Sequence, residues 1–347
     1  MTENKLFLRV RRCFTVCMMV SLILFIADNA AESQEIDKLI EGAKKEGKVS
    51  YYVSMNQEDA MRMANAFQEK YPFIKVEMFL LSGENLLVKA LAEARAGKFG
   101  ADVYDSSLEQ IAIMKQKGLL MKYYGPESKA IPEDYRDPEG FWTATYILPC
   151  VIAYNTKIVA PHDVPKTYED LLDQKYKGKI GIESQQIDWF FNMLKIMGRE
   201  KGLAFMKKLA QQDLMMRTGQ TLLVQLCASG EIPIVAVGYL ENVRKLQEKG
   251  ASIDWVRLQS APVVTLIHGI SIVSTAPHPN AAKLFYNYSV SLDGAKVFRK
   301  MKRNPIRPEE QDPEVRKLKV HMSNSAELLA NYDQVQREFR EIFHKRN

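Results

Sequence analysis

The segment "GKIGIESQQIDWFFNMLKI" (178–196) sets Glu183, Ser184, Gln185 and Asp188 where a buried strand turns into an amphipathic helix. A helix start exposes unpaired N–H groups and a partial positive charge, so it can hold a ligand. The same residue types also cap helices. "TGQTLLVQLCASG" (218–230) repeats the situation, with Thr218, Gly219 and Gln220 opening a helix and Gly219 able to let backbone amides approach a bound group. Tyr239 ends the strand "IPIVAVGY" (232–239). In the first half, Ser54 and Asn56 follow "KVSYYV", Ser82 and Gly83 follow "IKVEMFLL", and Ser106 and Ser107 end "ADVYDSS". Short hydroxyl and amide side chains offer directed hydrogen bonds without burying unpaired charge, which suits a small polar ligand. Each also has an ordinary use in forming turns.

No other signature competes with binding. HxxxH and CxxC spacings are absent, so no metal centre is expected. Without G-x-S-x-G, GxGxxG or a P-loop, neither an acyl-transfer nucleophile nor a nucleotide cofactor is indicated. The net charge of +6 is spread among interspersed acids and bases, which gives no nucleic-acid footprint. His268, alone in the apolar "TLIHGIS", reads as a core or hinge residue. An exported enzyme with Glu183, Asp188 or Glu241 as general base is the rival reading, but a catalytic carboxylate needs a partner group that the sequence does not supply. The expectation is therefore no enzyme, no cofactor and no metal.

The elements that would position these residues follow from periodicity. Three strand–helix steps between 48 and 116 argue for a parallel, doubly wound sheet, whose ligands bind beyond the carboxyl ends of the strands. "ATYILPCVIAYNTKIV" (144–159) reads as an apolar strand interrupted by Pro149, after which "VPKTYEDLLDQKYKGKIGI" (164–182) begins a second α/β unit. "APVVTLIHGISIVS" (261–274) is the strand back. Residues 279–301 read as one helical stretch, and 308–322 as a charged, solvated connection. The fold class is α/β: two doubly wound lobes joined by two crossing strands, lobe 1 being 34–148 plus 268–347 and lobe 2 being 149–267, with the C-terminal helices returning to lobe 1. Hinges are expected near Pro149–Tyr154 and His268–Ile272. Residues 1–33 read as a cleavable export signal, with basic residues ahead of the apolar run 13–27 and small residues after it. Cys13 and Cys17 leave with it. Cys150 and Cys227 lie in differently patterned segments, so two free thiols are expected.

"ADVYDSS", "IPEDYRDPEGFWTATYILPCVIAYNT", "VPKTYEDLLDQKYKGKIGI" and "ASGEIPIVAVGY" resemble, in order and spacing, the periplasmic solute-binding proteins of ABC importers. The similarity is to the type II branch that includes ferric-iron and phosphonate binders, and it runs over about residues 36–305. It implies a periplasmic monomer that closes two lobes on a small polar solute and delivers it to ABC permease subunits in the inner membrane. It implies ligand contacts among the residues of the polar turns named above, and a small organic acid, phosphonate or similar oxyanion as solute. Iron binders of the group carry two adjacent tyrosines after the strand that here reads "IPIVAV", whereas this chain has Gly238, Tyr239, Leu240 and Glu241. A ferric ion wants several anionic oxygens, so iron is the alternative rather than the leading solute.

Overall fold

The computed structural model describes residues 34–258, 261–323 and 325–344. The expected export signal lies outside them. Helix α1 covers residues 34–46. Three β-α steps follow: β1 (Lys48–Val53), α2 (Gln57–Lys70), β2 (Lys75–Leu80), α3 (Gly83–Ala96), β3 (Val103–Ser107) and α4 (Leu108–Gln116). The local causes are plain. Ala60, Met63, Ala64 and Phe67 form one buried stripe of α2, and Asn56 caps that helix by accepting from the Asp59 amide. Ser82 caps α3, and Gly97 ends it at φ +63°, a left-handed conformation that favours glycine.

Strand β4 (Thr143–Asn155) leads into the second unit: β5 (Ile180–Glu183), α5 (Ile187–Met197), α6 (Arg199–Ala210), β6 (Met215–Arg217), α7 (Gln220–Ser229), β7 (Ile234–Tyr239), α8 (Leu240–Glu248) and β8 (Ile253–Trp255). The chain then forms β9 (Val263–Ile272), α9 (Pro279–Val290), α10 (Leu292–Lys300), β10 (Asn304–Pro305), α11 (Pro313–Arg316), β11 (Val320–Met322), α12 (Ser325–Ala330) and α13 (Tyr332–Phe343).

The strand order β2-β1-β3-β9-β4-β7-β5-β6 shows how the halves join. From Thr143 to Pro149, β4 pairs antiparallel with β9, and from Cys150 onward it pairs with β7 and β8. One continuous strand thus serves both sheets. Pro149 does not interrupt it. It falls where the ladder passes from one partner to the next, a place where a missing N–H costs little. The return crossing runs between β8 and β9. His268–Ile272 is not at that crossing: all five residues pair with β3, and His268–Ile270 pair with β4 as well, and a strand bonded on both edges is a poor hinge.

Two further expectations change. The stretch 279–301 is two helices, broken at Ser291, whose hydroxyl accepts from the Gly294 amide and restarts the helix. The charged stretch 308–322 is not all loop, since Val320–Met322 adds a parallel strand to the edge of β9. Helices α9, α10 and α12 pack on elements of the first half, whereas α13 packs on α5 and α6 of the second.

Candidate functional site

The polar turns of the first half meet around one side chain. Ser54 Oγ lies 3.0 Å from Ser106 Oγ, and both Ser106 and Ser107 donate to Gln110 Oε1. Ser107 stands at the N-cap of α4 but spends its hydroxyl on Gln110 rather than on the helix amides. A side chain at Gly83 would fall 3.1 Å from Gln110, so the start of α3 also abuts it. Asn56 is different. Its oxygen caps α2 and its amide donates to Asp59 at 2.8 Å, so both ends are committed. The hydroxyl of Ser82 likewise accepts from Asn85.

In the second half, Glu183 is buried and acts as a clamp, accepting from the Gln185 amide at 2.6 Å and the Gly219 amide at 3.2 Å. Ser184 and Thr218 share a hydroxyl bond of 2.8 Å, and Gln220 donates to Gln186. The two turns expected to offer ligand contacts are therefore locked to each other.

Between the halves lies a cavity of about 550 Å³. The first half contributes Glu84, Glu109 and Gln110, and the second half Ser184, Gln185, Ile187 and Asp188. Helix α13 supplies the remaining wall through Tyr332, Gln336, Phe339, Arg340 and His344. Of the expected residues, Ser184, Gln185 and Asp188 line this space directly. Ser106, Ser107 and Gly83 stand one layer behind, through Gln110. The electrostatics are unbalanced, with three carboxylates against one guanidinium and one imidazole. Burial, then the nearby Glu109 charge, holds the Asp188 carboxyl well above the usual range. Tyr239 faces the same cluster: burial first, then Cys150 and Asp188, push its phenol well above the ordinary value, while Gln186 opposes the shift by hydrogen bonding. A larger depression of about 780 Å³ is lined by second-half residues only, Trp255 and Tyr154 among them, so approach of the halves would not enclose it.

Sequence inspection finds no Ser-His-Asp set, yet the fold assembles one order of bonds of that kind. His268 Nδ1 lies 2.8 Å from Asp105 Oδ1 and its Nε2 3.2 Å from Ser54 Oγ. Asp105 also accepts from Tyr51 at 2.7 Å, and Tyr146 stacks on the imidazole at 4.7 Å. Ser54 is not among the residues that line the cavity, and its hydroxyl is shared between Ser106 and His268. A second buried network joins the halves at one end. Arg303 bonds Asp59 of α2 at 2.9 Å and ion-pairs with Glu241 of α8 at 3.1 Å, while Lys245 of α8 reaches Asp59 at 2.7 Å. Cys150 and Cys227 are buried free thiols. Sequence offered no signal for Glu109, Gln110, Arg303 or the α13 residues, because each matters only through a distant partner.

Residues 62–324 match the family described as bacterial extracellular solute-binding protein. The chain belongs to this family. A solute-binding protein of this kind is a carrier of its ligand rather than an enzyme, which agrees with the sequence reading. Among curated relatives, a probable ABC transporter periplasmic-binding protein, y4fP of Sinorhizobium fredii, is 30% identical over 120 residues, 34% of this chain and 33% of the relative. The match thus spans about a third of that relative's length. Among solved structures, iron-bound HitA from Pseudomonas aeruginosa has a TM-score of 0.75 at 19% identity, covering 84% of this chain and 99% of its own. AfuA from Actinobacillus pleuropneumoniae, with fructose-6-phosphate bound, has a TM-score of 0.75 at 22% identity, covering 86% of this chain and 99% of its own. The solute-binding protein therefore has the two-lobed, type II periplasmic-binding fold. Among its described residues no helix is long and apolar enough to cross a membrane.

Proposed function

We propose that this protein captures a small polar solute carrying a positively charged group in the cavity between its lobes and presents it to an ABC permease. The observation that carries the reading is the cavity itself, where Asp188 of one lobe and Glu84 and Glu109 of the other bring carboxylates to a single space. A cation entering there would neutralise charge that the lobes bring together on closing, and a ligand favours closure only by such differential affinity. The lining argues against the oxyanion expected from sequence, because Glu84 and Glu109 would repel it. The printed name of the y4fP relative supports the permease as partner and the periplasm as location. Glu183, Thr218, Gly219 and Gln220 would then shape the site rather than touch the solute, and β4 at Pro149–Cys150 would be the flexing point.

The test is native mass spectrometry of protein purified from its own host. A co-purified small molecule that carries a cationic group is expected, and Asp188→Asn should lose it while keeping the wild-type circular dichroism. An organic anion in the site, or full retention by the variant, would sink the idea. Ferric iron as cargo is the second reading: Glu84, Glu109 and Asp188 bring carboxylate oxygens, which a hard cation prefers, to one cavity, and HitA is iron-bound. The missing tyrosine pair counts against it, as does the lack, among the described residues, of any metal-holding group of three His, Cys, Asp or Glu. Titration with ferric citrate and a search for a visible phenolate–iron band separate the two readings.

A further inference from the structure

Helix α13 stands apart from the rest of the site. The match to the family ends at residue 324, so α12 and α13 lie beyond it. Together they form a strap: α12 packs on α4 of the first lobe and α13 on α5 and α6 of the second. Val335, Phe339 and Phe343, spaced four residues apart, are the buried face of α13, and the rings of Phe339 and Phe343 meet Phe190 edge-on at 5.6 and 6.3 Å. Ion pairs Arg199–Glu338 and Lys195–Glu327 tie the strap to α5 and α6. That face is all that packing requires.

A second face of the same helix is directed elsewhere. Tyr332, Gln336, Arg340 and His344, also four apart, line the cavity. His344 Nε2 donates to the Ser184 carbonyl at 2.9 Å and fixes the helix end to the turn after β5. The Tyr332 phenol feels both signs of charge: burial, Glu84 and Asp188 push its pKa up, while Gln336 and Arg340 pull it down. The cavity is thus polar along its depth. Glu109 is buried and Asp188 half-buried, whereas Arg340 stands exposed at the rim.

We propose that α13 is a third wall of the solute site and selects a bipolar solute, its positive end toward Glu109 and Asp188 and its negative end toward Arg340. This rests on the cavity being the solute site and adds the class of molecule it takes. A dication would meet Arg340 unfavourably, and a dianion would meet the buried carboxylates. Arg340 is the residue that separates an amino acid from a diamine.

Calorimetry on the full mature chain with α,ω-amino acids, diamines and dicarboxylates of three to six carbons tests this. Wild type is expected to bind one of the amino acids about tenfold or more tighter than the diamine or diacid of equal length. Arg340→Ala, at an exposed position, should bring amino acid and diamine to within about threefold of each other. Asp188→Asn should weaken both together. A preference unchanged in Arg340→Ala while Asp188→Asn abolishes binding overturns the role of α13 and leaves the cavity reading standing. Affinities unchanged in both variants overturn the two together, and wild type that prefers diamines or diacids, or binds none of the series, overturns the bipolar selection.

Discussion

Replacing Asp59 by Asn tests the charge network that joins the halves. One carboxylate oxygen there receives Arg303 at 2.9 and 3.2 Å, Lys245 at 2.7 Å and the Asn56 amide at 2.8 Å. Asp59 is 1% exposed and Arg303 4%. Such burial makes desolvation of each charge expensive and leaves the pair dependent on mutual compensation. Removing one partner of a buried pair costs about 3–5 kcal/mol, and Glu241 still faces Arg303, so about 3 kcal/mol is expected. At about 2.1 cal/mol/K per residue, the 347 residues give about 0.7 kcal/mol/K, which turns this loss into a drop in Tm of about 4 °C. Burial alone would raise the Asp59 pKa, but Arg303 and Lys245 outweigh it and hold the carboxyl below its ordinary value. Because the folded pKa is the lower one, the stabilisation is complete above the unfolded value of about 3.9 and fades as pH falls through the folded value. Urea unfolding of wild type and Asp59→Asn should therefore diverge by about 3 kcal/mol at pH 7 and draw together as pH falls below the ordinary carboxylate value. In the double variant with Arg303→Met the losses should fall short of additive, since both remove one network. A difference under about 1 kcal/mol at pH 7, or one that does not shrink as the pH is taken down through the acid range, would refute the reasoning.

Glu183→Gln leaves one acceptor for the two amides of Gln185 and Gly219, so a loss of about 1–3 kcal/mol is expected, with faster hydrogen exchange at both amides. Gly269→Ala would put a methyl 2.9 Å from Leu108 Cδ2 and 3.1 Å from the Thr143 carbonyl. A cost of about 1–3 kcal/mol should follow, together with weaker solute binding, because Leu108 opens the helix that carries Glu109 and Gln110. Burial raises the Cys150 thiol pKa and pushes that of Cys227 up to about 12, so neither should react with Ellman's reagent at pH 8 until the protein is unfolded.

Much of the architecture is written in short-range patterns. The strand–helix steps of both halves, the capping duty of Asn56 and Ser82, and the polar ends of β1, β3 and β5 all depend on groups within a turn or two of one another. Such interactions operate in any context, so residue order reveals them. The same locality explains the misreadings. Pro149 breaks a strand by local rule, but here it falls at a change of partner; Ser291 splits a helix because its hydroxyl has an amide to cap; and β11 exists only because the edge of β9 is free to pair.

The sequence by itself determined that polar turns would gather at strand ends, and which residue types they would offer. Only the tertiary structure decided which of them face a cavity. Glu183 turns out to be spent on backbone amides, Gln110 collects the serines, Glu109 confronts Asp188, and α13 closes the space from a part of the chain that local patterns assign to no site. The reason is physical: where a side chain points is set by which distant surfaces bury each other's apolar faces, and that competition leaves no mark on neighbouring residues.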